Sequence, residues 1–282
     1  MRKSLRWLWG NRGSSGGWPF VAALTASYVL PRFGWRPLFL CAIVPGLATL
    51  ILLRRIPDPP SWSAAKAIVR TNEGFSGVWT HPVARRNFIL WTLTSIALQF
   101  GYYGANTWLP SYLVRDLGVN LQSMGWYVAA TYTMMCVGKV VTGYAADMFG
   151  RRAMWLTAGL LTALYVPLFV YYGTPSTIAY HLLVFGLLYG APYAINGTYM
   201  SESFPSGLRG TAVGAAYNVG RIGATLSPLL IGMAASRYSI GLGLALLGIS
   251  YAVCALIPGL FIRERIFDPN AVAGREALPR TA

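Results

Sequence analysis

One arginine, Arg221, stands in the middle of a long apolar run over 210–236, where a charge is costly to embed and by default marks a functional position. A guanidinium grips a carboxylate through two parallel hydrogen bonds. At helical spacing Tyr217 lies one turn before Arg221 and Asn218 three residues before it, so all three share a face. No Asp or Glu falls at the same depth elsewhere in the chain. The expected partner is therefore a ligand anion, with an acidic group outside this chain as the alternative. Other polar side chains recur at the same period. Gln99, Tyr103 and Asn106 follow one another at i, i+4 and i+7, as do Tyr189, Tyr193 and Asn196, and Tyr132 sits midway along a further run. Hydroxylated rings and amides in an otherwise apolar wall suit a small-molecule cavity, although packing or an interfacial belt would account for any one of them. The expected substrate-binding set is Arg221, Asn218, Tyr217, Gln99, Tyr103, Asn106, Tyr132, Tyr193 and Asn196. Lys139 is the other cation inside an apolar run. A snorkelling lysine there can nearly reach the interface, so a structural role is expected, with coupling as the alternative.

A second constellation is ionic. Gly143, Asp147, Gly150, Arg151 and Arg152 fall within ten residues where one apolar run ends and the next begins, and Glu202 and Arg209 flank a later gap of the same kind. Gly143 permits close helix approach, and Gly150 permits a reversal at positive φ. The charges can pair at the membrane surface in one conformation and part in another. As half-exposed pairs they are expected to contribute about 1 kcal/mol or less each, which suffices to bias a conformational equilibrium.

Catalytic chemistry is not expected. His81 and His181 are the only histidines, and neither has a nucleophile and acid in its sequence context. No GxxxxGK[ST] run cradles phosphate. Cys41, Cys136 and Cys254 lie singly in separate apolar runs, which points to small buried hydrophobes and not to a metal site or disulfide framework. No catalytic residue, metal or cofactor is expected.

The elements that must position these residues follow from composition. Of 282 residues 55% are hydrophobic and only 11% charged, with a mean hydropathy of +0.48, whereas a soluble domain carries roughly a quarter charged residues. Lipid is the expected solvent. The net charge of +15 does not indicate nucleic acid, because the basic residues sit in short gaps between apolar runs. A spanning helix needs ~20 mostly apolar residues, and eight segments meet this: 14–30, 37–53, 88–113, 124–146, 153–172, 177–200, 210–236 and 239–262. Seventeen Lys and Arg fall on one side of these segments, among them Arg85, Arg86, Arg151, Arg152 and Arg209, against Arg32, Arg36, Arg115 and Arg237 on the other. That asymmetry predicts cytoplasmic termini in an inner or plasma membrane. The basic start Arg2, Lys3 and Arg6 is followed by too short an apolar stretch for a cleaved signal. Pro57, Pro59 and Pro60 with mixed charge mark 54–87 as a cytoplasmic linker. The expected organisation is two helices in 1–53, the linker 54–87, a six-helix bundle over 88–265 and a cytoplasmic tail over 266–282.

The stretch Gly143-Tyr144-Ala145-Ala146-Asp147-Met148-Phe149-Gly150-Arg151-Arg152 resembles the G-x-x-x-D-x-x-G-R-R loop of the major facilitator superfamily at every fixed position. Gly34-Trp35-Arg36-Pro37-Leu38-Phe39 resembles that family's G-W-R-x-L-F entrance to its sixth helix, and Glu202-Ser203-Phe204-Pro205 with Arg209 is similar to its E-x-F-P-x-x-x-R element. Pro57-Asp58-Pro59-Pro60-Ser61-Trp62 looks like a degraded P-E-S-P-R-W, without the Arg and with Asp for Glu. The segment around Arg221 resembles the eleventh helix of organic-acid branches such as the aromatic acid:proton symporters. The resemblance covers roughly 17–265. It implies an all-α polytopic membrane protein whose eight helices are the family's fifth to twelfth, with the first four absent and a missing N-terminal half as a partner. It also implies alternating-access transport of a small organic anion with protons. Two alternatives stay open: a sugar or polyol transporter of the same superfamily, and a truncated fragment that does not transport.

Overall fold

A computed structural model of the chain describes residues 33–41, 43–53, 75–205 and 207–262. Among these there are twelve helices and no strand. Two short apolar helices, α1 (Trp35–Cys41) and α2 (Ile43–Leu53), follow one another along the chain and occupy the expected 37–53 segment. The expected 14–30 segment, the greater part of the linker and the tail lie outside the described residues. After the short α3 (Ser76–Thr80), six antiparallel rods form a bundle: α4 (Pro82–Arg115), α5 (Leu121–Phe149), α6 (Arg151–Tyr172), then α7 (Ile178–Tyr189) with α8 (Ala191–Glu202), α9 (Arg209–Val219) with α10 (Arg221–Arg237), and α11 (Ile240–Ala245) with α12 (Leu247–Phe261). The last four rods are long and apolar enough to cross a membrane. α4 and α5, at 34 and 29 residues, are at least as long as any of these, but they do not reach the same apolarity. The rods turn Leu164, Leu229, Met233, Ile249 and Leu260 outward, each more than half exposed. An apolar belt of that kind requires lipid, not water, around it.

The rods exceed the apolar segments because their polar ends are held by neighbours. α4 starts at Pro82, where a proline suits the first turn, and not at 88. Arg86 donates to Phe261 O at 3.0 Å and Asn87 to Ser203 O at 2.8 Å, so the start of α4 binds the carbonyl ends of α12 and α8. The opposite end is tied by Asp116, whose Oδ2 accepts from Gly241 N at 2.8 Å. Between the ends, Trp91 of α4, Trp155 of α6 and Tyr199 of α8 meet edge to face at centroid distances of 5.2–6.1 Å. All three are fully buried.

Proline frees a backbone carbonyl in two rods, at Pro192 where α8 begins and at Pro258 inside α12, and α6 approaches both carbonyls. A proline lacks the N–H that would bind the carbonyl four residues back. For Pro258 that carbonyl is Cys254 O, which takes the Trp155 indole N–H at 2.9 Å. For Pro192 it is Leu188 O, 3.0 Å from the Thr162 hydroxyl, which also lies 2.7 Å from Ala158 O in its own helix. In a hydrocarbon interior a freed carbonyl must find a protein partner, and Trp155 and Thr162 supply one each.

Gly150 joins α5 to α6 at φ 90° and ψ 151°, a region open essentially to glycine alone. The positive φ expected there is present. Gly150→Ala should destabilise the bundle by about 1–3 kcal/mol, read as a lower thermal midpoint of the purified protein in detergent. An unchanged midpoint would mean the turn relaxes freely.

Candidate functional site

Gln99 is buried on α4, and its Nε2 donates to Tyr217 O at 2.8 Å. That bond docks α4 onto α9 just before the junction at Gly220, so the Gln99 amide is spent on positioning. Tyr217 is half-buried, and Asn218 is exposed with Nδ2 donating back to Gly214 O at 2.8 Å. Arg221 is the first residue of α10 and is exposed, close enough to the Tyr217 phenol to act on it electrostatically. Among the described residues no carboxylate reaches its guanidinium. Arg221, Tyr217 and Asn218 thus lie on either side of the Gly220 junction, near one rod's midpoint.

A second group forms around Asn106. Its Oδ1 accepts from Tyr132 OH at 2.9 Å and faces Tyr189 OH at 3.3 Å, while its Nδ2 donates to Tyr102 O at 2.8 Å. Both acceptor positions of its carbonyl are thus used, in a small pocket lined also by Thr131 and Phe185. Asn106 and Tyr132 thus join α4 to α5 in this conformation. Tyr103 is exposed on the same helix. Tyr193 and Asn196 lie on α8, and the Tyr193 hydroxyl and Asn196 Oδ1 are buried with no hydrogen-bond partner among the described residues.

Tyr102 and Lys139 organise the space between these groups, and neither belongs to the expected binding set. The Tyr102 ring stacks on Tyr189 at 5.5 Å and packs on Tyr193 at 4.6 Å. Its signal was present in sequence, since Tyr102 precedes Asn106 by one turn, but the stripe through Tyr103 drew the alternative register. Lys139 does not run toward the rim. Its Nζ lies over the Tyr193 ring, 6.0 Å from the centroid, and its Cε would sit 3.4 Å from a side chain placed at Gly190. The lysine stem passes the glycine at the α7–α8 junction, where Met135 makes the closest approach.

The ionic constellation gathers at the end shared by α5, α6, α8 and α9. Arg151 Nε lies 3.1 Å from Glu202 Oε2, with the side chains 16% and 10% exposed. Arg152 turns away and donates to Gly259 O on α12 at 2.7 Å. Asp147 is exposed, Arg209 is half-buried at the start of α9, and Gly143 is buried within α5. The geometry thus brings Arg151 and Glu202 into direct contact and ties Arg152 to an adjacent helix end. Elsewhere, His181 Nδ1 lies 3.0 Å from Tyr165 OH, and Cys254 is buried and free. No cluster of metal-ligating side chains exists among the described residues.

The sequence profile of the Major Facilitator Superfamily matches residues 11–228 and again 112–282. The chain belongs to the Major Facilitator Superfamily. Its described residues accordingly form part of an all-α, multi-pass membrane protein of that superfamily. Among curated members, it is 44% identical over 264 residues to a cis,cis-muconate transport protein of Acinetobacter baylyi, a match covering 90% of this chain and 64% of the relative. It is 27% identical over 251 residues to a putative metabolite transport protein of Haemophilus influenzae, covering 86% and 61%. To a gentisate transporter of Corynebacterium glutamicum it is 31% identical over 226 residues, covering 76% and 49%. The chain thus spans between about half and two thirds of the length of these superfamily relatives.

Proposed function

We propose that the protein is a secondary transporter that moves a small organic anion across the membrane by alternating access, with protons as the coupling ion. The observation that carries this reading is Arg221, exposed at the α9–α10 junction beside Tyr217 and Asn218 with no carboxylate partner among the described residues. A guanidinium that is unpaired at mid-membrane depth is costly unless a ligand answers it, and a carboxylate fits its fork. The muconate and gentisate named for the relatives are carboxylates, which supports the same class.

The Arg151–Glu202 pair is the conformational switch in this scheme, together with Gly143, Asp147, Gly150, Arg152 and Arg209. It holds α6 to α8 at one end of the bundle, and its release would let that end open. The excess of arginine at this end, with Arg85, Arg86, Arg151, Arg152 and Arg209, supports placing it in the cytoplasm of a cell membrane. Residues 88–265 would be the second bundle, 1–53 a part of the first, and 54–87 the link between them. The additional length of the relatives is the natural source of the remaining cavity wall.

The test is uptake by cells expressing the protein from its own locus. Labelled carboxylates should accumulate, glucose should not, and an uncoupler that collapses the proton gradient should abolish accumulation. Accumulation of glucose with no carboxylate uptake would replace the anion reading by the sugar one.

A further inference from the structure

We infer that Lys139 is a second anion anchor in this cavity, so that the preferred cargo is a dicarboxylate held at one end by Arg221 and at the other by Lys139. This rests on the organic-anion reading above and narrows it.

Depth is the first argument. Lys139 lies ten residues before Phe149, the last residue of α5, and Arg221 lies twelve residues after Arg209, the first of α9. At 1.5 Å per residue the two cations stand ~15 and ~18 Å from the same end of the bundle. Both are near the middle of a hydrocarbon layer ~30 Å thick.

Direction is the second. The Lys139 stem passes Gly190, itself twelve residues before the end of α8, so the ammonium is carried toward the bundle's middle and not to its rim. Its Nζ lies over Tyr193 at 6.0 Å. Tyr102 packs on Tyr193 from α4 at 4.6 Å. α8, which carries Tyr193, packs on α5, which carries Lys139, and on α9, which carries Tyr217 one turn before Arg221. The two cations therefore belong to two rods that both pack on α8.

Counter-charge is the third. Among the described residues no carboxylate is within ion-pair distance of Lys139. Asp147, the nearest acid along α5, is eight residues away and thus ~12 Å along the axis. Two unanswered cations flanking an aromatic surface match a flat or extended molecule with a carboxylate at each end. The rings receive its carbon skeleton.

The test compares cis,cis-muconate with hexa-2,4-dienoate, the same carbon skeleton carrying one carboxylate. KM for muconate uptake and Ki for hexadienoate as its competitor are measured in cells expressing the protein from its own locus; neither constant depends on abundance. Lys139→Gln should raise the muconate KM by about 10-fold or more, the size expected when one partner of a buried charge pair is truncated, with the hexadienoate Ki within about 2-fold. Lys139→Arg keeps the charge and should retain both values within about 3-fold. Arg221→Gln should weaken both compounds. Equal changes in the two constants with Lys139→Gln, or a muconate KM lost in Lys139→Arg as in Lys139→Gln, would overturn the second anchor while leaving the anion site standing. Muconate uptake unaffected by Arg221→Gln would instead overturn the anion site on which the proposal rests.

Discussion

Arg221→Gln is expected to lower kcat/KM for carboxylate uptake by about 100-fold, while the protein's abundance in the membrane stays level or rises. The loss follows from deleting one side of a desolvated charge pair, which costs about 2–5 kcal/mol, and 1.4 kcal/mol is a factor of ten. Abundance should not suffer, because Arg221 makes no ion pair among the described residues that its removal would orphan. An arginine at a helix centre opposes insertion by about 2.5–3.5 kcal/mol, so a neutral glutamine relieves a burden. The pairing of lost uptake with retained protein is what separates a ligand-binding role from a structural one. Arg221→Lys keeps the charge without the planar fork and should recover part of the activity. Uptake within 3-fold of the wild type for Arg221→Gln would remove Arg221 from the binding site.

Gly223→Val should abolish the folded bundle, and Gly223→Ala should lower its thermal midpoint by on the order of 10 °C, given about 3 kcal/mol of overpacking in a chain of this size. A Cβ at Gly223 would run into Ile96 O and would lie 2.9 Å from Ile96 C and 3.0 Å from Phe100 N. These are backbone atoms inside α4, and they cannot step aside as a side-chain tip would. Small residues let membrane helices approach this closely, and the seam continues beyond the glycine. Ser227 Oγ donates to Phe100 O at 2.7 Å, and Trp108 Nε1 to Pro228 O at 3.1 Å. Pushing α10 away at Gly223 therefore breaks both bonds as well. Gly214→Ala is the control, since a Cβ there meets nothing within 4 Å. It should leave the midpoint unchanged or raise it slightly through the unfolded chain's lost freedom. An unchanged midpoint in Gly223→Ala would mean that the α4–α10 seam is looser than its geometry.

The rods were legible because an apolar run of membrane length has few other readings. Their ends were less so. Pro82–Arg86 is polar, and its helicity depends on Phe261 O and Ser203 O, acceptors more than a hundred residues away in sequence. The positive φ at Gly150 was readable from its place between two runs. What spacing could not supply is the fate of each polar group. Gln99 has the sequence look of a cavity amide, yet it docks α4 on the Tyr217 carbonyl. Arg152 belongs to the loop charges by position but ends on Gly259 O. Lys139 looked free to reach the rim, yet its ammonium lies over the Tyr193 ring on another helix. Periodicity reports the face a residue occupies; its partner is set by a neighbouring helix that the local pattern does not contain.

The borrowed hydrogen bonds of Trp155 and Thr162 make α6 the setting screw for two other rods. A proline break normally behaves as a loose joint, its bend drifting over a continuous range. Here each bend is referenced to a donor on a separate helix, and the surrounding hydrocarbon offers no water to substitute if that donor slides away. Small displacements of α6 are thereby penalised at both joints together, at Cys254 O and at Leu188 O. The mechanical result is a detent: α8 at its proline start and α12 at its inner proline are held to α6 together, and a shift of α6 must release both bonds.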